Sequence, residues 1–260
     1  MSSSAGATWD PEQYNRYASE REQPFWDLRA LIAPATAPRV VDLGCGDGRL
    51  TVALHHDLQA SSTIGIDLSE AMLARAAPRA GGAVGFSAGD VASWRGADFD
   101  IVFSNAALQW VPDHPAVLAR WRAGLAEGGQ LAVQLPANAD HRSHAVLREL
   151  AAERFGTAAP TDPVAANVLP PEAYAQLLDD LGFERQHVRL QVYAHHFASA
   201  ADVVEWMRGS SITRFTAILE PAELTAFVDE YRRRLLRALG DARPYLYAFK
   251  RILMWGRLPG

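Results

Sequence analysis

Apolar residues are spaced along the chain in two alternating patterns. Short apolar runs bounded by glycine, proline or charged residues stand at 40–43, 62–66, 83–88, Phe99–Ser104 and Gln130–Leu135. Between them lie stretches with helical spacing, starting near Arg49 and covering Glu70–Ala77 and Ala116–Leu125. Short apolar strands alternating with helices predict a parallel sheet covered on both faces. Ser69 is placed to cap the second of these helices.

The pattern changes in the second half. A helix is predicted over Ala145–Phe155, then a run rich in small residues and proline to Pro171, then a helix over Glu172–Leu181 closed by Gly182. Val188, Leu190 and Val192 alternate with polar neighbours, which predicts a strand over Phe183–His195. Residues 199–239 read as helical, broken at Gly209-Ser210-Ser211 and ending in a long basic helix, Ala222–Leu239. Tyr245–Trp255 reads as the last strand. In front of the alternating region, Asp10-Pro11 starts a helix that carries Tyr14, Tyr17, Arg21, Phe25 and Leu28 at helical spacing. That helix either packs on the sheet or closes over a ligand, and Ala33–Pro38 links it to the first strand.

Composition narrows the class. A chain of 260 residues buries a large core in one α/β domain with an insertion. The net charge of −5 disfavours a nucleic-acid or anionic-membrane surface. No apolar segment has the length of a bilayer span, and Met1–Thr8 lacks a signal peptide's apolar centre, so a cytoplasmic protein is expected. The single cysteine, Cys45, allows no disulfide framework and reads as a small packed residue. Only one of the 25 basic residues is lysine, a genomic bias that makes arginine abundance uninformative about phosphate binding. The pairs His55-His56 and His195-His196 point apart, and His141 with His144 lacks further ligands at coordination spacing, so no metal site is expected. Arg232, Arg233, Arg234 and Arg237 read as a solvated helix face, and Trp206 and Trp255 as core.

Candidate chemistry centres on Val40 to Thr51. Asp42 ends the first strand and is followed by Gly44, Gly46 and Gly48, which permit a sharp turn and close approach of a ligand to backbone. The spacing differs from the dinucleotide fingerprint, which argues against an NAD-linked reductase, and an acid before the glycines suits a ligand bearing a cation. Asp67 ends the second strand about twenty residues on, where a ribose-binding carboxylate belongs, and Asp90 ends the third. This arrangement resembles the class I S-adenosylmethionine (SAM) dependent methyltransferases. The resemblance implies a Rossmann-like, seven-stranded, mainly parallel sheet with helices on both faces. It further implies a SAM pocket made by Asp42, Gly44, Gly46, Gly48, Asp67, Leu68, Asp90, Val91 and Asn105, with S-adenosylhomocysteine as product. On this reading 1–260 is one domain: an N-terminal lid helix at 9–31, a cofactor-binding core at 32–155 and a helical cap inserted at 196–243.

The segment Asn105 to His114, with Gln134-Leu135-Pro136 and Trp9-Asp10-Pro11, is similar to the trans-aconitate methyltransferase branch of that family. The likeness is close over residues 9 to about 150 and looser beyond. It implies a carboxyl O-methyltransferase that makes the monomethyl ester of a small polycarboxylate, with Asn105 and Trp110 where methyl donor and acceptor meet. Arg214 is the leading substrate ligand, since bidentate arginine matches a carboxylate. Tyr231, Arg251, Arg21 and Tyr17 follow. A carboxylate is already nucleophilic, so the lack of a catalytic triad is expected. Methylation of a phenol or hydroxy acid, or SAM binding without catalysis, are the alternatives. A monomer or weak dimer without macromolecular partners is expected.

Overall fold

The structure, a computed structural model, describes residues 22–260. A seven-stranded sheet runs in the order β3-β2-β1-β4-β5-β7-β6. Its strands are β1 (Arg39–Leu43), β2 (Ser62–Asp67), β3 (Val84–Ala88), β4 (Phe99–Asn105), β5 (Leu125–Pro136), β6 (Arg185–Phe197) and β7 (Tyr245–Arg257). β1 to β5 pair in parallel, and β7 lies antiparallel between β5 and β6. The helices are α1 (22–29), α2 (Arg49–Asp57), α3 (Glu70–Ala76), α4 (His114–Ala123), α5 (Arg142–Phe155), α6 (Pro163–Asn167), α7 (Pro171–Asp180), α8 (Asp202–Arg208) and α9 (Pro221–Leu239). The sheet order reverses between β1 and its two neighbours, β2 and β4. Such a switch opens a crevice at the carboxyl ends of the strands, where ligands bind in open α/β sheets.

Two layers of apolar side chains sandwich the sheet. On one face Phe25 and Leu28 of α1 and Leu54 of α2 pack with Val40, Phe103 and Leu253. On the other, Trp121 of α4 and Tyr174 and Leu178 of α7 pack with Val41, Val102 and Met254. A third cluster lies away from the parallel strands. Val146 and Leu147 of α5, Val203 and Met207 of α8, and Phe227 and Tyr231 of α9 enclose Phe197 and Tyr247 at the far ends of β6 and β7. This helical region, called the cap below, shares a cavity with Asn105 and Pro136 at the ends of β4 and β5 through Trp206 and Arg214.

Most element boundaries match the sequence pattern within a few residues, and Ser69 caps α3 by accepting the Met72 amide at 3.3 Å. Three differ for local reasons. α4 starts at His114 because Asp113, in left-handed geometry (φ 56°), caps it through the Ala116 amide at 3.3 Å. β5 begins at Leu125 because Leu125 already pairs with Phe99, ahead of an irregularity after which the regular register runs from Ile101 with Gln130 onward. The proline-rich run holds the short helix α6, capped by Asp162, whose side chain accepts the Val164 amide at 3.2 Å. The positions of Tyr17, Arg21 and most of the predicted 9–31 helix lie outside the described residues.

Candidate active site

The loop after β1 is shaped by its glycines. Gly44, Gly46 and Gly48 all have positive φ (85°, 58° and 74°), a region that disfavours L side chains. A Cβ on Gly44 would lie 2.2 Å from the Ala107 Cβ, so this glycine admits the next loop. A Cβ on Gly46 would meet nothing within 4 Å. Gly46 thus faces open space at the crevice, a backbone cradle of the kind a ligand occupies.

The strand-end acids take different places. Asp67 accepts the Gly46 amide through Oδ2 and the Ser69 amide through Oδ1, both at 2.8 Å. It therefore ties the glycine loop to the end of β2. Asp90 is exposed, with Oδ1 accepting the Ala92 amide at 2.9 Å. Leu68 is 72% exposed beside Asp67, an apolar surface open to a flat ring. The Val91 carbonyl is turned inward to accept the indole N–H of Trp121 at 2.9 Å. Asp42 does not project into the crevice: its side chain is buried behind the loop and accepts the Thr51 hydroxyl at 2.6 Å. Burial pushes its carboxyl up to about 6, the Thr51 hydroxyl pulls it down, and the Asp67 charge adds to the rise. A carboxylate there acts on the loop from below. Cys45 is buried, and burial pushes its thiol up, with Asp42 and Asp67 adding to the effect, so it is a packed, unreactive group.

Beyond the loop, a cavity of about 330 Å³ opens between the end of β4 and the cap. Asn105, Gln109 and Trp110 line one wall, His144 and Asp162 another, and Arg214, Trp206 and Arg251 the roof and far side. Local structure aims these groups. Ser104 donates to the Leu43 carbonyl at 2.8 Å and locks the end of β4 against β1. The chain then turns at Ala106 (φ 55°), whose amide donates to the Gln134 carbonyl at 2.8 Å. Gln109 donates to the Ala106 carbonyl at 2.7 Å, closing the turn. Trp110, 58% exposed, stands at the cavity mouth.

Buried polar groups usually find partners. Here several have none among the described residues: Asn105 Oδ1, Gln109 Oε1, His144 Nδ1 and all three guanidinium nitrogens of Arg214 at the cavity, and Gln134 Nε2 on β5. Arg214 is held by the irregular turn after α8, with its guanidinium 5.0 Å from the Phe215 ring centroid. Burial draws it below the ordinary guanidinium range, and Asp162 opposes that effect. A buried cation with unused donors is costly until an anion arrives, and a carboxylate supplies the matching acceptors. Arg251 also reaches the cavity and donates from Nη1 to Gln134 Oε1 at 3.1 Å.

Tyr231 is not at the cavity surface. It is fully buried on the inner face of α9, and its hydroxyl donates to the Ser143 carbonyl at 3.0 Å. This corrects its expected role as a substrate ligand: Tyr231 stacks the cap onto α5. Trp206 is buried, as expected for a core residue, yet its ring also forms part of the cavity wall. The site further includes Asp162 and His144, which the sequence reading did not place there. Asp162 is buried, and His144 Nδ1 and Arg148 Nη1 lie 3.5 and 3.2 Å from its Oδ2. Burial opposes ionisation of Asp162, but His144, Arg214 and Arg148 hold its carboxyl below the usual carboxylate range. The one visible signal was Asp162-Pro163 inside the proline-rich run, a helix start with no neighbouring chemistry. Among the described residues no cluster of three or more histidine, cysteine or acidic side chains could hold a metal, and no helix is long and apolar enough to cross a membrane.

A family profile described as a methyltransferase domain matches residues 40–129. Curated relatives extend the match over the chain. The chain is 40% identical to the trans-aconitate 2-methyltransferase of Deinococcus radiodurans, over 97% of this chain and 99% of the relative. It is 39% identical to that of Variovorax paradoxus, over 96% of each. Solved structures match in fold at low identity. The YcgJ protein of Bacillus subtilis superposes with a TM-score of 0.61 at 15% identity, over 91% of this chain and 98% of that one. Phosphoethanolamine N-methyltransferase 2 of Haemonchus contortus, solved with S-adenosyl-L-methionine, gives 0.60 at 17% identity, over 92% of this chain and 53% of that one.

Proposed function

The chain belongs to the trans-aconitate 2-methyltransferase family, and on that premise we propose that it methylates one carboxylate of trans-aconitate, with SAM as donor. The products are the monomethyl ester and S-adenosylhomocysteine. The glycine loop suits the donor. Gly46 offers open space against its backbone, Asp67 a carboxylate for the ribose hydroxyls, Leu68 an apolar face and Asp90 a carboxylate for the adenine amino group. When bound, SAM supplies a methyl group made electrophilic by its sulfonium.

The observation that carries the acceptor assignment is Arg214, whose three guanidinium nitrogens are buried and unpartnered at the cavity. Such a group selects an anion and fixes its plane by two parallel hydrogen bonds. An ionised carboxylate attacks without a base, so the chain's own contribution is alignment and exclusion of water. Asn105 and Trp110 stand where the cavity meets the end of β4, and Trp206 of α8 with Arg214 beyond it covers the far side. The experiment is turnover of SAM to S-adenosylhomocysteine with a panel of acceptors: trans-aconitate, its trimethyl ester, small dicarboxylates and a phenol. Turnover with trans-aconitate and none with the triester supports the reading. Preference for the phenol sinks it.

A further inference from the structure

A tricarboxylate with one group at the methyl donor and one on Arg214 leaves a third carboxylate to be held. The cavity wall opposite β4 has a group suited to it. His144 is buried to within 5% of full enclosure, lines the cavity, and presents Nδ1 to Asp162 Oδ2 at 3.5 Å. At that distance Nδ1 lies beside the carboxylate without a hydrogen bond, and the other ring nitrogen, Nε2, also makes none among the described residues. Asp162 is held in turn: Oδ1 accepts the Val164 amide at 3.2 Å, and Oδ2 accepts Arg148 Nη1 at 3.2 Å. A carboxylate beside one ring nitrogen orients the imidazole, and an imidazolium carries an N–H on each nitrogen, so a second anion can be met at the other.

Resting on the polycarboxylate reading above, we propose that His144 is a specificity-determining ligand for a second carboxylate of the acceptor. In this role Asp162 is a positioning residue that keeps the ring aimed. The geometry answers an obvious objection, that Asp162 repels a polyanion. Its Oδ2 lies against Arg148 and His144, at 3.2 and 3.5 Å, so that oxygen is already engaged by cationic and imidazole groups. The plainer reading is a structural tie between α5 and the segment leading into α6. The two differ in one respect: a tie is indifferent to which carboxylates the acceptor carries.

That difference gives the test. Three dicarboxylates, glutaconate, itaconate and mesaconate, each lack a different one of the three carboxylates of trans-aconitate, and each is measured as substrate or competitive inhibitor. With His144→Asn, KM for trans-aconitate should rise about thirtyfold, the loss of one charge-assisted hydrogen bond. For one of the dicarboxylates the change should be under about threefold, because the carboxylate that His144 would hold is already missing. Arg214→Ala should spare a different dicarboxylate. His144→Gln, whose amide reaches toward the Nε2 position, should recover part of the loss. Asp162→Asn should raise KM more than it lowers kcat, and should add nothing to His144→Asn. Equal losses for all four acids, or the same dicarboxylate spared by both the His144 and Arg214 variants, overturn the assignment. Failure of the wild-type protein to methylate or bind any of the acids would instead overturn the polycarboxylate reading.

Discussion

The amide of Gly46 donates to Oδ2 of Asp67 at 2.8 Å, joining the loop after β1 to the end of the adjacent strand β2. One carboxylate therefore shapes the glycine turn while its remaining lone pairs stay available to a ligand at the crevice. Asp67→Ala should weaken SAM binding by about 1.5–3 kcal/mol, the range for a hydrogen bond to a charged group. Asp67→Asn keeps an acceptor for the Gly46 amide and should lose less. Calorimetry on the folded variants decides it, and undiminished affinity in Asp67→Ala would remove Asp67 from the cofactor pocket.

Gly44 and Gly46 share a backbone region but not a neighbourhood, and the two should respond differently to the same change. At Gly44 an added methyl would overlap the Ala107 side chain, so Gly44→Ala should lower the thermal unfolding temperature. At Gly46 the methyl enters open space, and only the cost of positive φ remains, about 1 kcal/mol. Gly46→Ala should stay folded and bind SAM at least about tenfold more weakly. Normal SAM affinity in that variant would show that the open space is not the ligand's.

Asp42 makes a prediction in pH. Its carboxyl lies at about 6 instead of 3.8, chiefly through burial, with Thr51 pulling down and Asp67 pushing up. Between these values the folded state binds the proton more tightly than the unfolded state, so this residue's contribution to stability falls as pH rises through the window. Asp42→Asn retains an oxygen for Thr51 and abolishes the titration. The variant's stability relative to wild type should therefore climb by about 2 kcal/mol from pH 4.5 to pH 7.5, at 1.4 kcal/mol per unit. Urea unfolding across that range measures the difference, and a flat difference would mean that burial does not control this group.

How far the site could be read from the chain follows from where its residues stand. Asp67 and Asp90 were legible because each closes a short apolar run, and the ends of parallel strands converge on one crevice. Asn105 was legible for the same reason. Asp42 closes such a run too, but one residue of alternation decides whether a side chain faces the crevice or the helix behind it, and Thr51 shows it took the second course. Tyr231 carries a readable signal: with Phe227 and Leu235 it marks every fourth residue of α9, a buried helix face. His144 had no local signal, and that of Asp162, standing before Pro163, marked only a helix start. They are brought together by the packing of α5 against the segment before α6, and spacing along the chain carries no record of that contact.

Arg214 bears the greatest weight in the acceptor assignment and has the most exacting test. Its nearest alternative role is packing, since its guanidinium lies 5.0 Å from the Phe215 ring centroid and a stacked arginine can serve the cap alone. A packing residue lost to alanine lowers stability and disturbs both substrates together. A carboxylate anchor acts on one of them. Arg214→Ala should lower kcat/KM for trans-aconitate at least about a hundredfold while SAM affinity changes little, because three donors at the cavity vanish and nothing near the glycine loop moves. Arg214→Lys should restore only part, since an ammonium supplies the charge but not the planar pair of donors that matches a carboxylate. Steady-state kinetics with calorimetry of SAM binding separates the cases. Normal methylation of trans-aconitate by Arg214→Ala would overturn the anchor, and the acceptor's carboxylates would then have to be sought on Arg251.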